Sequence, residues 1–408
     1  MGGNMGSASG EDLAGRTVVY GITGGIAAYK APSVVRGLKA LGIDVHVVMT
    51  ESAGHFVTPL TLQTLTGNAV YRELFPEMPP DAHEVEHIAL ADRADLILIA
   101  PATANFMAKM AGGIADDLLS CVVLATQAPV LLCPSMNVNM YNHPATTQNI
   151  DTLKKRGIHI LEPASGELAC GWEGAGRLPE PDRIVAEAKK LIYQKDLSGI
   201  SIVVTCGPTC QDIDPVRFIT NRSTGKMGAA IVEAACLRGA QVKVISGPVD
   251  IDYSPWAQVV MVRSAEQMLE SVKENLKGAD ILIMAAAVAD YTPANYRASK
   301  IKKGDKLSSI ELKPTPDILS TIKPMKGDAF FVGFAAETEN LTGSARSKLS
   351  SKGLDMIVAN RVGEEGSGFG SDTNSGVILT PEGVLDNFEQ LEKEVLAHKI
   401  LDFIRERV

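Results

Sequence analysis

The strongest constraint on the fold is a regular alternation of short apolar runs with longer amphipathic segments, beginning at residue 17. In the first half, the runs at 17–22, 44–49, 96–100, 130–133 and 159–161 are rich in β-branched and aliphatic residues and are predicted as strands. Helix-length segments separate them. Strands that are apolar along their whole length are typical of a parallel sheet covered on both faces. The pattern therefore predicts a doubly wound α/β fold for this half.

The second half repeats the rhythm without repeating the sequence, which predicts a second α/β domain. Its predicted strands are 200–205, 241–246, 281–285, 330–334 and 356–360, and its predicted helices include 229–238 and 391–405. A helix predicted at 181–193 is followed by the polar segment QKDLSG, where we place the domain boundary. Because 408 residues are too many for one hydrophobic core, we expect two domains, 16–193 and 194–408, after a flexible leader at 1–15.

Composition excludes several classes of protein. A formal charge of -9 argues against a nucleic-acid scaffold, because phosphate backbones are bound by clustered positive charge. Apolar runs are far shorter than the roughly 20 residues of a membrane span, and the Gly- and Ser-rich start lacks a signal peptide's apolar core. We therefore expect a cytoplasmic protein. Its six cysteines lack metal-ligand spacing and are predicted to be reduced, with Cys121, Cys133 and Cys236 as small buried apolar residues.

The first predicted strand runs into the segment GITGGIAAYK, in which Gly24 and Gly25 precede a helix. Backbone amides and the helix dipole at such a turn favour a phosphate group. The segment lacks the GxGxxG spacing of dinucleotide-binding proteins, and glycines at such turns also serve tight packing alone. Both interpretations stay open on this motif.

Three further segments carry a family resemblance: APATAN at 100–105, PSMNVNMY at 134–141 and ACGWEGAGR at 169–177. Together they resemble the flavin-dependent cysteine decarboxylases, in particular the bifunctional phosphopantothenoylcysteine decarboxylase/phosphopantothenate–cysteine ligase family. The resemblance extends over residues 16–408. It implies an N-terminal flavoprotein domain with a parallel sheet and a C-terminal Rossmann-like, nucleotide-binding ligase domain.

The resemblance implies roles for individual residues of the first domain. The implied FMN-binding residues are Gly24, Gly25, Thr50, Ala102, Thr103, Asn105 and Met136. His87 is implied as a proton shuttle, Asn137 as the amide that holds the departing carboxylate, and Cys170, in a glycine-rich lid, as a proton donor. Arg177 would bind the substrate phosphate. Alternatives from the residues alone are a helix cap for Thr103 and for Asn137, and a surface or packing role for His87.

The implied reaction of this domain has no net redox change. Flavin oxidises the substrate thiol to a thioaldehyde, which acts as an electron sink while carbon dioxide leaves. The resulting enethiolate is protonated, with Cys170 as donor, and reduced by the flavin to give 4'-phosphopantetheine.

The second domain opens with TCGPTCQDIDPVRFITNRSTGKMG, at residues 205–228. This segment is not a Walker A loop, because Thr220 stands where that loop requires glycine. It resembles the phosphopantothenate–cysteine ligase signature instead. Ser223 and Thr224, with neighbouring glycine amides, would bind phosphates at the start of the following helix. A plain helix cap is the alternative.

The resemblance also implies the remaining ligase residues. Lys300, in the run SKIKKGDK, is implied to engage phosphate and the activated carboxylate, and Asn221 to handle the acyl-nucleotide; a solvated loop is the alternative for the lysine run. Arg217 is implied to bind substrate. The remaining nucleotide-binding residues are Ala285, Ala286, Asp290, Pro316, Asp317, Phe334, Lys348 and Lys352.

The implied reaction joins cysteine to 4'-phosphopantothenate through an acyl-cytidylate made from CTP. Mg²⁺ would accompany the triphosphate, without a protein ligand that the sequence identifies. Relatives imply a homo-oligomer in which decarboxylase trimers are joined by ligase dimers. Alternative functions are a flavin-binding regulatory protein, a nicotinamide dehydrogenase and a peptidyl-cysteine decarboxylase or prenyltransferase; the last two leave the second domain unexplained.

Overall fold

The computed structural model describes residues 13–75, 86–167, 173–302, 309–337, 340–363, 368 and 370–408. The chain divides into two compact units, with the division between Tyr193 and Gln194. No helix in the described ranges combines the length and the apolar character needed to cross a membrane.

The first unit contains eight strands and eight α-helices within the described residues. The strands are β1 (Thr17–Ile22), β2 (Asp44–Met49), β3 (Val70–Tyr71), β4 (Leu96–Ala102), β5 (Val130–Pro134), β6 (His159–Ile160), β7 (Ala164–Glu167) and β8 (Glu173–Arg177). The helices are α1 (Ala31–Ala40), α2 (Pro59–Thr66), α3 (Glu86–Arg93), α4 (Ala104–Gly112), α5 (Leu118–Ala125), α6 (Val138–Tyr141), α7 (Pro144–Lys155) and α8 (Pro181–Ile192).

Six of these strands form one parallel sheet in the order β3-β2-β1-β4-β5-β6. The direction of winding reverses between β1 and β4, and in open α/β sheets ligands bind at the carboxyl ends of the strands next to such a reversal. The turns after β1 and β4 contain Gly24, Gly25 and Thr103 of the predicted flavin residues. The sheet therefore brings two distant sequence motifs to one edge.

The helices cover the sheet because their apolar residues recur at helical spacing. In α1 the buried residues are Ala31, Val34, Val35 and Leu38, one face of the helix. A Cβ atom on Gly37 of α1 would lie 2.8 Å from Val185 Cγ2 of α8, so glycine allows these two helices to pack closely. Strands β1, β2 and β4 are buried almost throughout.

The strands β7 and β8 pair antiparallel as a separate hairpin. Its turn, residues 168–172, lies outside the described residues. Gly176 has a φ of +149°, and a Cβ there would lie 2.2 Å from the Met136 carbonyl oxygen, so only glycine fits. The base of the hairpin is thereby held against the segment after β5.

The second unit contains twelve strands and five α-helices within the described residues. The strands are β9 (Ser201–Cys206), β10 (Cys210–Asp212), β11 (Phe218–Thr220), β12 (Gln241–Ser246), β13 (Gln258–Met261), β14 (Ile281–Met284), β15 (Tyr291–Pro293), β16 (Leu312–Pro314), β17 (Phe330–Glu337), β18 (Met356–Arg361), β19 (Thr373–Thr380) and β20 (Gly383–Glu392). The helices are α9 (Lys226–Leu237), α10 (Ala265–Leu276), α11 (Ile318–Ile322), α12 (Leu341–Lys352) and α13 (Lys393–Arg405).

Eight of these strands form a sheet in the order β13-β12-β9-β14-β17-β18-β19-β20. The first six are parallel, and β19 and β20 add an antiparallel hairpin. In β9, Ile202 and Val204 join the core beneath α9 and α13, while Val203 joins the opposite core beneath α10, α11 and α12. Helices therefore cover both faces of this sheet.

The predicted fold class is confirmed, and the differences are local. Helix α9 begins at Lys226 rather than at Ala229, and α13 begins at Lys393 rather than at Leu391. The antiparallel hairpin was not predicted. Cys133 and Cys236 are buried as expected, whereas the prediction for Cys121 was wrong because it is only half-buried; the cysteines among the described residues are free thiols.

Candidate active sites

Thr23 connects the two predicted flavin-binding turns of the first unit. It follows β1 and is buried, and its hydroxyl donates to the Pro101 carbonyl over 2.8 Å and accepts from the Thr103 backbone N–H over 3.0 Å. The sequence analysis missed Thr23, although it stands inside the quoted GITGG segment. Its hydrogen bonds fix the turn that contains Gly24 and Gly25 against the start of α4.

The two glycines differ in their surroundings. A Cβ on Gly24 would lie 2.3 Å from Ser52 Cβ, so this glycine permits close packing, as the alternative interpretation held. At Gly25 a Cβ would meet only Thr103 Cγ2, at 3.7 Å. Thr50, at the end of β2, donates its backbone N–H to the Ile22 carbonyl. Close packing explains Gly24, whereas Gly25 borders open space.

Thr103 is the N-cap of α4, since its hydroxyl accepts from the Phe106 N–H over 3.3 Å. This geometry matches the capping alternative and leaves the hydroxyl's own proton available. Ala102 is fully buried, whereas Asn105 is exposed, and no hydrogen bond to its amide occurs among the described residues. The edge thus offers neutral hydroxyl and amide groups beside the exposed side chain of Ile26, a set that suits a flat, largely apolar flavin ring.

Asn137 and Met136 lie on the neighbouring turn after β5. The Asn137 side-chain oxygen accepts from the Asn139 N–H over 2.8 Å, so Asn137 caps the short helix α6 as the alternative predicted. The Met136 N–H donates to the Gly176 carbonyl over 3.0 Å. The cap therefore fixes the orientation of the Asn137 side chain.

Arg177 belongs to a charge cluster at the base of the hairpin. Its guanidinium donates to one oxygen of Glu180 over 2.8 Å, and Lys30, which is buried, donates to the other over 3.0 Å. The Lys30 hydrogen bond is the main cause that lowers the pKa of Glu180. Two cations around one carboxylate leave a net positive charge. Lys30 and Glu180 were missed by the sequence analysis.

The structure describes one of the two residues that were predicted to transfer protons. His87 lies in the first turn of α3. Cys170 lies outside the described residues. In the described part of this unit, the Tyr141 hydroxyl at the end of α6 donates to Glu162, which also pairs with Lys154 at 2.6 Å. This contact fastens the helix that Asn137 begins to the segment just before the hairpin.

The second unit contains a cavity of about 920 Å³ at the carboxyl ends of its parallel strands. Its wall includes Asn221 and every predicted nucleotide-binding residue except Lys300. The predicted residues that line it are Ser223, Thr224, Ala285, Ala286, Asp290, Pro316, Asp317, Phe334, Lys348 and Lys352. Five segments far apart in the sequence therefore meet around one space.

The glycine-containing turn enters helix α9 at one side of the cavity. Gly225 is the N-cap, with a φ of +79°, and its N–H donates to the Ser223 hydroxyl over 3.4 Å. A Cβ on Gly228 would lie 2.3 Å from Cys206 Sγ, which explains the glycine in the first turn of the helix. The free N–H groups at this helix start favour an anion.

Asn221 joins this turn to the segment after β14. Its NH₂ group donates to the carbonyls of Ala287 and Val288, each over 3.1 Å. The side chain is therefore held at the cavity wall through its nitrogen. Its oxygen takes no part in these two hydrogen bonds. An amide oxygen in this position can accept a hydrogen bond from a ligand.

The predicted lysines on α12 are both paired with carboxylates. Lys348 lies 2.7 Å from Glu337, and Lys352 contacts Asp317 and, over 3.0 Å, the Ser320 hydroxyl. Burial raises the pKa of Asp317, but Lys352 and Ser320 outweigh it and the net shift is downward. Among the described residues, these pairs make this side of the cavity nearly neutral.

Lys300 and Arg217 lie together, although neither is part of the cavity wall. The carboxylate of Asp214, only 1% exposed, accepts from the N–H groups of Val216 and Arg217 over 2.8 Å and from Ile301 over 3.1 Å. Arg217 also donates to the Ile301 carbonyl over 3.1 Å. Asp214, which the sequence analysis missed, therefore fixes Arg217 beside the backbone that carries Lys300.

The resemblance implies that Arg217 binds substrate in ligation, so replacing Asp214 by asparagine is expected to slow that reaction about 100-fold, because displacement of a binding group by about 1 Å has that order of effect. Decarboxylation of supplied conjugate should be unchanged. Asp212→Asn is the matched control, since Asp212 forms a partly exposed pair with Arg263 at 2.7 Å. Rates of conjugate formation would test this, and equal slowing in both variants would contradict the role of Asp214.

The cavity residues that the sequence analysis missed include Lys226, Asn360, Asn374 and Lys393. Lys226 stands within the quoted glycine-containing segment, so that motif could have pointed to it. The other three are brought in by β18, β19 and α13, and no local pattern marks them. Among the described residues, no group of three or more His, Cys, Asp or Glu side chains is arranged to hold a metal ion.

Comparison with known proteins covers both units. The family described as Flavoprotein matches residues 6–193, and the family described as DNA/pantothenate metabolism flavoprotein C-terminal domain matches residues 197–408. The "Coenzyme A biosynthesis bifunctional protein CoaBC" of Bacillus subtilis is 46% identical over 396 residues, which cover 96% of this chain and 97% of the relative. The chain belongs to the bifunctional coenzyme A biosynthesis family.

Another member of this family, from Escherichia coli, is 43% identical over 399 residues, covering 96% of this chain and 97% of the relative. A solved structure of the C-terminal domain of a family member covers 52% of this chain and 97% of its own length, with 39% identity and a TM-score of 0.46. As a bifunctional coenzyme A biosynthesis protein, the chain combines a flavoprotein phosphopantothenoylcysteine decarboxylase unit with a phosphopantothenate–cysteine ligase unit. The regulatory alternative is not favoured.

Proposed function

We propose that the second unit couples cysteine to 4'-phosphopantothenate with CTP and Mg²⁺, and that the first unit decarboxylates the product with FMN. The observation that carries the ligase half is the cavity in which Asn221, the Gly225 turn, the segment after β14 and the α12 lysines meet. The α9 amino end supplies positive potential for phosphates, and the small side chains of Ala285 and Ala286 leave room for a planar base.

The ligase proceeds through two displacements. The 4'-phosphopantothenate carboxylate attacks the α-phosphorus of CTP, and pyrophosphate leaves. The cysteine amine then attacks the acyl-cytidylate carbon, releasing CMP. Asn221 orients the acyl-nucleotide through its amide, Arg217 binds the substrate, and Lys300 stabilises charge on the phosphate and the activated carboxylate. Mg²⁺ would be held chiefly by phosphate oxygens and water, and would neutralise charge on the triphosphate.

The decarboxylase site forms at the edge where β1, β4 and β5 end. FMN, when bound, supplies reversible oxidation of the substrate thiol. Asn137 holds the departing carboxylate through its NH₂ group, and Arg177 binds the substrate phosphate with help from the neighbouring Lys30. His87 transfers a proton, and Cys170 returns one to the product.

The edge geometry supports this proposal through the Thr23 hydrogen bonds, which hold Gly25 and Thr103 together at the sheet's winding reversal. Thr50, Ala102, Asn105 and Met136 complete the proposed flavin residues. The cytoplasmic location and the homo-oligomeric assembly of decarboxylase trimers and ligase dimers stay predictions.

The deciding experiment is mass spectrometry of products after incubation of purified protein with 4'-phosphopantothenate, cysteine, CTP and Mg²⁺. We expect 4'-phosphopantetheine, carbon dioxide and pyrophosphate, with less product when ATP replaces CTP. Accumulation of the conjugate alone would count against the proposed flavin site. Absence of conjugate and pyrophosphate would overturn the ligase proposal.

Replacing Cys170 by serine is expected to preserve flavin binding and carbon dioxide release while blocking completion of the reduction, because serine cannot donate the required proton as readily as a thiol. An oxidised, decarboxylated product should accumulate in place of 4'-phosphopantetheine, and mass spectrometry would identify it. Cys121→Ser, a change at a half-buried thiol, is the control. Normal 4'-phosphopantetheine output would remove Cys170 from the mechanism.

A further inference from the structure

Lys393 lines the cavity from the first position of α13 and is only 7% exposed. Its ammonium donates to the carbonyl of Gly368 over 3.3 Å and to the carbonyl of Ser371. Both are neutral acceptors. Among the described residues, the partners of this ammonium are carbonyls, which do not cancel its charge at that wall.

The other cavity lysines are neutralised. Lys226 lies 2.6 Å from Asp372, and Lys348 and Lys352 pair with their own carboxylates. Among the described residues, no carboxylate is within ion-pair distance of the Lys393 ammonium. Burial is the main cause that lowers the pKa of Lys393; Lys226 adds to it, and Asp372 opposes both. An uncompensated buried cation is costly unless an anion accompanies it.

Two amides on the same wall, one buried and one half-buried, have unused hydrogen-bonding capacity among the described groups. Asn374, only 2% exposed, and Asn360 each have a side-chain oxygen without a hydrogen-bond partner among the described groups. The Asn374 NH₂ group contacts only Met227 Sδ, a weak acceptor, over 3.6 Å. Because rotation exchanges the oxygen and nitrogen of an amide, either side chain can donate to a phosphate oxygen.

We propose that Lys393, Asn374 and Asn360 bind the β- and γ-phosphates of the nucleotide, the part released as pyrophosphate. The inference rests on the proposed CTP-dependent function and extends it to residues outside the recognised motifs. When the bond from the α-phosphorus to the bridging oxygen breaks, its electron pair stays on the departing pyrophosphate. The Lys393 ammonium stabilises that added charge, and the amino end of α9 reinforces it.

The test compares ligands with and without these phosphates, using the full chain. In Lys393→Gln, affinity for CTP should fall about 10- to 100-fold, the usual range for loss of a charged hydrogen bond, while affinity for CMP stays within about twofold. Inorganic pyrophosphate should compete with CTP in the unsubstituted protein and hardly at all in the variant. Lys399→Gln is the matched control, because Lys399 is on the same helix but pairs with Asp386.

Lys393→Arg, which keeps the charge, should recover most of the CTP affinity. Equal losses of affinity for CTP and CMP would overturn the inference, because they would indicate a lysine with a purely structural role. Unchanged affinity for both ligands would overturn it as well. If the glutamine variant fails to fold, Asn374→Ala gives the same CTP-against-CMP comparison. Should the unsubstituted protein bind pyrophosphate in a Lys393-dependent manner but fail to bind CTP, the phosphate site would stand and the CTP proposal would fail.

Discussion

Lys300→Gln is expected to lower the rate of CTP-dependent coupling by about 10²- to 10³-fold, the range for loss of one group that stabilises developing charge. The Lys300 side chain is exposed, yet the backbone next to it is fixed, since the Ile301 N–H donates to buried Asp214 and the Ile301 carbonyl accepts from Arg217. Glutamine keeps hydrogen-bonding capacity but carries no charge. The loss should therefore appear in the chemical step more than in folding.

Two assays on the same preparation would test this. Pyrophosphate release reports ligation, and carbon dioxide release from supplied 4'-phosphopantothenoylcysteine reports the other unit, which should be unaffected. Lys313→Gln is the control, because Lys313 is an exposed lysine of β16 outside the proposed sites. Ligation at the unsubstituted rate would remove Lys300 from catalysis, and loss of both activities would mean that the substitution disturbs folding.

Arg238→Met is expected to destabilise the second unit by about 3–5 kcal/mol, the usual cost of removing one partner from a buried ion pair. Arg238 is 1% exposed and donates to both oxygens of Asp196, over 2.8 and 2.7 Å, and lies 2.9 Å from Asp402. Methionine fills similar volume but leaves two largely buried carboxylates without their main cation. Because Arg238 is not part of the cavity wall, its replacement tests stability without removing a group of the candidate site.

Chemical denaturation would measure this in a Trp172→Phe background, so that fluorescence of Trp256, which packs against the core of the second unit, follows that unit. Decarboxylase activity would follow the first unit. The unfolding of each unit needs its own measurement, because a two-domain chain need not unfold in one step. Arg405→Gln is the control: Arg405 also pairs with Asp196 but is partly exposed, so its loss should cost about 0–1 kcal/mol. Similar losses for both variants would contradict the argument.

Most parallel strands of both sheets could be predicted from sequence because they are continuous apolar runs with burial on both faces. The edge strands β3 and β13 were missed, because β3 has only two residues and β13 is mostly exposed. Strands β10, β11, β15 and β16 have three residues each, too few to show a period. Strand β20 was missed for another reason. Its sequence mixes charged and apolar residues, and the helix after it was predicted to start two residues too early.

The candidate sites show the same limit. Contiguous motifs such as 134–141 and 221–228 could be recognised directly, because the turn after one strand supplies all their residues. Lys393 and Asn374 come from α13 and β19, which approach the cavity only through the antiparallel extension of the sheet. Nothing local in LEKEVLAHK marks Lys393, rather than Lys399, as the buried lysine. Its role follows from topology, which a single sequence expresses only weakly.

Helix α13 closes one core of the second unit with Leu396, Ile400, Leu401 and Ile404, packed with residues of β9. These side chains belong to the last described helix, whereas β9 is the first strand of the unit. During synthesis on a ribosome, the first unit can therefore collapse while translation continues, but the second must wait for α13 to emerge. Until then the apolar face beneath α13 is exposed to chaperones, and a ribosome stalled before α13 would yield a decarboxylase without a folded ligase.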